Sequence, residues 1–166
     1  STSAWTETSA KALARSLNVP AARLLRDYGV PRFYGLLRDV GLTTLIRPAD
    51  EYGIPLILGG AESTLWELTG LYASMARAVI VRDGSRPTFA SPHVLADDPT
   101  PGEAGTAAPL SPASLYLTLA ALTEVERPEE LSGWQYFSSA GQIAWKTGTS
   151  YALRDAWAIG VTDRWA

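Results

Sequence analysis

The feature that most constrains this sequence is a pair of apolar, alternating segments near its C-terminus, joined by a short polar turn. Ile143-Ala144-Trp145 leads into Lys146-Thr147-Gly148-Thr149-Ser150, and Asp155 to Val161 alternates in the same way beyond the turn from Ser150 to Arg154. Two such runs predict an antiparallel hairpin. Residues i and i+2 of a strand share a face, so Lys146 and Gly148 fall on one side, with Thr147 and Thr149 on the other. The strand end gathers an ammonium, two hydroxyls, backbone N–H groups and a glycine that admits close approach. Such a cluster suits a carboxylate and a developing oxyanion.

Upstream, the chain reads mostly as helix. Thr6 to Ser16 carries Ala10, Leu13, Ala14 and Leu17 at helical spacing, and Val19-Pro20 breaks the run. Pro20 opens a second helix with Ala21, Leu24 and Leu25 on its apolar side and Gly29 as its stop. Pro31 opens a third, burying Phe33, Leu36, Leu37 and Val40 and closing at Gly41. Thr43 to Gly60 forms a connection with an apolar segment, Ile54 to Leu58, and a Gly59-Gly60 turn. Thr64 and Glu67 fit a capping box, after which Leu65, Leu68, Tyr72, Met75 and Val79 follow a helix period. Val79-Ile80-Val81 before Asp83-Gly84 predicts a short strand and turn. Asp97 to Pro109, rich in proline and glycine, reads as an exposed loop. Ser111-Pro112 starts a last helix, with Leu115, Leu119, Leu122 and Val125 as its stripe and Pro128 as its stop. Helices followed by a terminal hairpin imply an α+β fold, helices packed on an antiparallel sheet.

At 166 residues the chain suits one domain. Its net charge of −3, without a sequence-local Lys/Arg cluster, points away from nucleic acid as a partner. Zero cysteines exclude disulfides, thiolate metal sites and a cysteine nucleophile. No apolar run reaches the length of a membrane span, so an anchor or export signal is expected outside this chain. His93, alone of its kind, makes a poor metal ligand or general base, and no metal or cofactor is expected. Asp97-Asp98 and Glu129-Glu130 read as solvated acids. Arg154-Asp155 reads as a local ion pair fixing the turn. Most of the six tryptophans read as core anchors, with Trp145 and Trp157 candidates to line a peptide groove.

Neither Lys146-Thr147-Gly148-Thr149 nor Ser16-Leu17-Asn18 is specific alone; their order along the chain is what carries information. Ser-x-Asn between two helices and a Lys-Thr-Gly strand far downstream match the second and third motifs of penicillin-binding proteins and serine β-lactamases. Ala12 to Ala21 resembles the Ser-x-Asn segment of bifunctional penicillin-binding proteins. Leu56 to Glu62, Thr64 to Thr69 and Ile143 to Thr162 resemble segments of their 1C-type subgroup. The least matched part is the loop from Arg86 to Pro109.

The resemblance implies the penicillin-binding protein/serine β-lactamase-like fold and a D,D-transpeptidase domain of peptidoglycan synthesis. In that family a serine attacks the D-Ala–D-Ala carbonyl of a stem peptide, and an amine resolves the acyl-enzyme. Ser16 would join the proton-shuttling network and Asn18 would hold the substrate amide. Lys146 would face the terminal carboxylate, with Thr147, Gly148 and Thr149 binding substrate and the Thr149 N–H forming half of an oxyanion hole. Stem peptides, β-lactams and proteins of cell-wall synthesis are the implied partners. The implied place is the periplasmic face of the bacterial inner membrane, reached through an anchor outside this chain.

One part of the family pattern is missing. The nucleophile stands in Ser-x-x-Lys, but this chain has two lysines, Lys11 and Lys146, preceded three positions earlier by Thr8 and Ile143. The expectation is therefore a partial transpeptidase domain over 1–166, incomplete at both ends and inactive alone. Residues 1–42 would be its helical segment carrying Ser-x-Asn, and 136–166 its hairpin carrying Lys-Thr-Gly-Thr. The alternatives are a serine β-lactamase or D,D-carboxypeptidase relative, and a non-catalytic module that binds peptides or β-lactams.

Overall fold

The computed structural model describes residues 9–80, 88–92, 106–107, 109–124, 143–150 and 154–166. Residues 9–14 are helical (α1) and are followed by α2 (Asn18–Tyr28), α3 (Val30–Asp39) and the single turn α4 (Ala49–Tyr52). A 3-10 turn, Ile54–Ile57, leads through the glycine pair to α5 (Leu65–Ile80). Short strands β1 (Thr88–Phe89) and β2 (Thr106–Ala107) pair antiparallel. Then come α6 (Pro112–Thr123) and the hairpin of β3 (Ala144–Thr149) and β4 (Ala156–Val161).

Local chemistry explains where the helices begin and end. Ser111 caps α6 by accepting from the Ser114 N–H at 3.2 Å. At α5 the capping box forms in both directions: Glu67 N–H to Thr64 Oγ1 at 3.1 Å, and Thr64 N–H to Glu67 Oε2 at 2.9 Å. Pro31 sits in the first turn of α3, where its missing N–H costs nothing. The second helix starts two residues before the expected Pro20, which lies within its first turn.

Two apolar clusters meet on α5. One joins the first helices to α5 and α6 through Leu25, Leu45, Leu56, Ala78, Phe89 and Leu115. The other joins α5, α6 and the hairpin through Ala76, Leu122, Ala144 and Val161, with Tyr72 and Leu119 packed against them. Leu25, Leu45 and Leu115 are almost wholly buried, each contributing about 1.5–3 kcal/mol. The result is helices on an antiparallel hairpin, an α+β arrangement as expected.

Several details differ from expectation. Val79 and Ile80 continue α5 instead of forming a strand. The deepest positions of α5 are Gly70, Ser74, Ala76 and Ala78, not its large apolar residues; Leu65 is mostly exposed. The reason is close backbone approach: a Cβ on Gly70 would lie 2.7 Å from Pro92 Cδ, and Ser74 Oγ accepts from the Ala90 N–H at 3.2 Å. The loop from Asp97 to Pro109 contains β2 at Thr106–Ala107. Trp66 and Trp165, 47% and 77% exposed, are not core anchors. Val81, His93, Asp97-Asp98, Val125, Pro128, Glu129-Glu130 and 136–142 of the expected hairpin segment lie outside the described residues. No helix among the described residues is long and apolar enough to cross a membrane.

Candidate functional site

The Ser16 corner is a helix end. The Ser16 N–H bonds the Leu13 carbonyl at 3.1 Å and the Leu17 N–H bonds the Ala12 carbonyl at 2.9 Å, the pairing of a Schellman motif. That motif puts Ser16 at the position usually held by glycine, with φ of 54°. Among the described residues it is the one non-glycine with positive φ. A serine there costs about 1 kcal/mol relative to glycine. Ser16 is exposed, and α2 begins with Asn18 two residues later.

The hairpin supplies the other wall. Lys146 pairs with Ile159, Gly148 with Trp157 and Thr149 with Ala156. The Ser150 N–H donates to the Asp155 carbonyl at 3.0 Å, which makes 150 and 155 a hydrogen-bonded pair. Alternation along an antiparallel ladder then turns the N–H and C=O of Thr147 and Thr149 away from β4, toward the other edge of β3. Asp155 fixes the turn through Ser150: its N–H donates to Ser150 Oγ at 2.9 Å, and Ser150 Oγ donates to its carboxylate at 3.1 Å. The expected Arg154–Asp155 ion pair is absent; the carboxylate is taken up by the hydroxyl that closes the same turn.

The two walls meet where the Lys146 ammonium donates to the Ser16 hydroxyl, across 130 residues of sequence. Lys146 also donates to the Thr147 carbonyl at 2.6 Å, one of the groups turned away from β4. Burial lowers the Lys146 pKa from its ordinary value, and the ammonium has no carboxylate partner among the described residues. Around this contact lies a cleft of about 1660 Å³. Ser16, Asn18, Lys146, Thr147, Gly148 and Thr149 all line it, so every site residue expected from the sequence is brought to one place. Gly148 has open space where a side chain would stand. Of the two groove candidates, Trp157 lines the cleft and Trp145 is not part of its wall.

Residues not singled out as site residues complete the cleft. Gly59, with φ of 96°, lies so near the end of β3 that a Cβ would be 3.4 Å from the Thr149 carbonyl oxygen. The loop is held by Glu62, which accepts from Tyr52 Oη at 2.6 Å and from the Arg47 guanidinium at 2.7 Å. Burial opposes the Glu62 charge, yet the bonds from Tyr52 and Arg47 keep its carboxyl below the usual range. The paired glycines were the available signal, because positive φ and close approach both call for glycine. Among the described residues, no three His, Cys, Asp or Glu side chains are grouped to hold a metal.

The chain is 35% identical over 156 residues to penicillin-binding protein 1C of Escherichia coli (strain K12). The aligned region is 93% of this chain and spans 18% of that relative's length. No family model matches the chain, and no solved structure matches it.

Proposed function

We propose that this chain builds the carboxylate-binding part of a D,D-transpeptidase site in bacterial cell-wall synthesis. The observation that supports this reading is the contact of Lys146 with Ser16 in a cleft also lined by Asn18, Thr147, Gly148 and Thr149. In it, the terminal carboxylate of a stem peptide takes the Lys146 ammonium and the hydroxyls of Thr147 and Thr149. Asn18 holds a peptide amide, and Ser16 relays a proton. The Thr149 N–H, directed away from β4, is one donor to the oxyanion that forms when the penultimate carbonyl is attacked.

The attacking serine is not among these residues. The sequence has no Ser-x-x-Lys, so the covalent step requires a nucleophile from outside it. One oxyanion donor without the other forfeits about 3 kcal/mol of transition-state stabilisation. The chain alone is accordingly a reversible binder of stem peptides and β-lactams, and the absent nucleophile equally favours a non-catalytic binding module. The place proposed for the parent activity is the periplasmic face of the inner membrane. Incubation with a fluorescent penicillin followed by a denaturing gel tests this: no covalently labelled band is expected, and a labelled band refutes the assignment of roles.

A further inference from the structure

The Gly59-Gly60 loop runs between the 3-10 turn and the end of β3. Gly59 faces the strand, where a Cβ would be 3.4 Å from the Thr149 carbonyl oxygen and 3.5 Å from Ser150 Cα. Gly60 faces the turn: its N–H donates to the Pro55 carbonyl at 2.8 Å, and a Cβ there would be 2.8 Å from the same oxygen. Polar groups behind the loop hold it in place. The Arg47 guanidinium donates to the Gly60 carbonyl at 3.4 Å and to the Glu62 carboxylate at 2.7 Å, and lies 4.2 Å from the centre of the Tyr52 ring. Tyr52, buried in the first apolar cluster, donates its hydroxyl to the other Glu62 oxygen at 2.6 Å. The Thr44 hydroxyl donates to the Glu62 carbonyl at 2.8 Å. Arg47 and Glu62 are nearly half exposed, and an ion pair that open to water adds little stability. What the cluster fixes is position.

Thr149 joins this cluster to the site. The N–H and C=O of one strand residue leave on the same edge, so the carbonyl backed by Gly59 belongs to the residue whose N–H is the oxyanion donor in the reading above. Among the described residues β3 pairs only with β4, and a two-stranded ribbon is marginal by itself and twists readily. We propose that Arg47, Tyr52 and Glu62 are positioning residues, which hold the Gly59-Gly60 loop as a stop against the end of β3. The stop fixes where Thr147 and Thr149 present their donors to a ligand. This rests on the reading of β3 as the carboxylate-binding strand. Donors held in place beforehand lose less freedom on binding, so a stop behind the strand raises affinity without touching the ligand.

The test compares Arg47→Met, Tyr52→Phe and Ser111→Ala in the 166-residue chain, by calorimetric titration with N-acetyl-Gln-D-Ala-D-Ala and by amide spectra of the free protein. Each substitution removes local hydrogen bonds and should lower the melting temperature by about 2–4 °C. Arg47→Met and Tyr52→Phe should also weaken peptide binding about three- to tenfold, and should shift the Thr149 and Ser150 amides before any peptide is added. Ser111→Ala, which unties the cap of α6, should do neither. Arg47→Lys, which keeps a cation beside Glu62, should recover part of the affinity. If Arg47→Met and Tyr52→Phe bind as the parent does, weaken binding no more than Ser111→Ala, or leave the two amides in place, the stop is overturned and the carboxylate-binding reading stands. If the parent itself does not bind the peptide, that reading fails and the positioning role with it.

Discussion

Two helix ends in this chain close on the same pair of hydrogen bonds. At the end of α3 the Gly41 N–H bonds the Arg38 carbonyl and the Leu42 N–H bonds that of Leu37, both at 3.0 Å. At the end of α1 the Ser16 and Leu17 N–H groups do the same to Leu13 and Ala12. Gly41, at φ of 105°, takes the left-handed conformation without penalty; Ser16, at 54°, does not. A Cβ on Gly41 would meet nothing within 4 Å, so strain of the backbone, not crowding, separates the two residues there. The less stable choice stands where a hydroxyl meets Lys146. On the reading proposed above, the strained turn is the one whose side chain takes part in binding.

The same contrast separates the two polar centres of the molecule. The Glu67 carboxylate is saturated: Oε1 accepts from the Thr43 N–H and hydroxyl, each at 2.7 Å, and Oε2 from the Thr44 hydroxyl and the Thr64 N–H. Burial opposes its charge, but the bonds from Thr64, Thr43 and Thr44 prevail and hold its pKa at about 2. Lys146, by contrast, is partly desolvated and has no counter-charge among the described residues. The first centre holds α5 to the segment after α3; on the proposed reading the second is where a ligand binds.

Mutations should divide along that line. The largest effect is expected from Lys146→Met, which should weaken binding of an acyl-D-Ala-D-Ala peptide about 10- to 100-fold by loss of charge-assisted hydrogen bonds. The melting temperature should not fall, because a partly buried ammonium is removed. A fall of several degrees would make Lys146 part of the scaffold and erase the contrast.

Glu67→Gln should do the reverse, lowering stability by about 2 kcal/mol with peptide affinity unchanged. A carboxyl whose pKa is lower folded than unfolded stabilises above its unfolded value, and that contribution is lost as pH falls from about 4.5 toward about 2. Denaturant titrations across that window should show the parent chain losing stability more steeply than Glu67→Gln. Parallel curves would mean that the carboxylate is not held as its six oxygen contacts indicate.

The smallest and most diagnostic pair is Ser16→Gly and Gly41→Ser. The first should stabilise the fold by about 0.5–1 kcal/mol and weaken peptide binding; the second should destabilise it by about as much and leave binding alone. Equal signs for the two substitutions would remove the argument from strain.

How legible this was from sequence follows from the range of each interaction. Gly29, Gly41, the Thr64–Glu67 box, the Ser111 cap and the hairpin all depend on neighbours within a few positions, and their residue types announced them. The convergence of Ser16, Asn18 and the Lys146 strand rested on family resemblance, because no periodicity links residues 130 positions apart. The small inward face of α5 was hidden, since periodicity rewards large apolar residues whereas Gly70 and Ser74 are buried for close backbone approach. The left-handed Ser16 was hidden too: serine between two helices reads as an ordinary cap. The added bonds of Glu67 to Thr43 and Thr44 cross more than twenty positions, and its local role had already explained it.

The central claim is that the corner at residues 16–18 and the strand at 146–149 form one binding site. The most direct measurement is amide chemical-shift mapping during titration with N-acetyl-Gln-D-Ala-D-Ala. Amides of both segments should shift together and fit a single dissociation constant; shifts confined to one segment, or separate constants for the two, would contradict it.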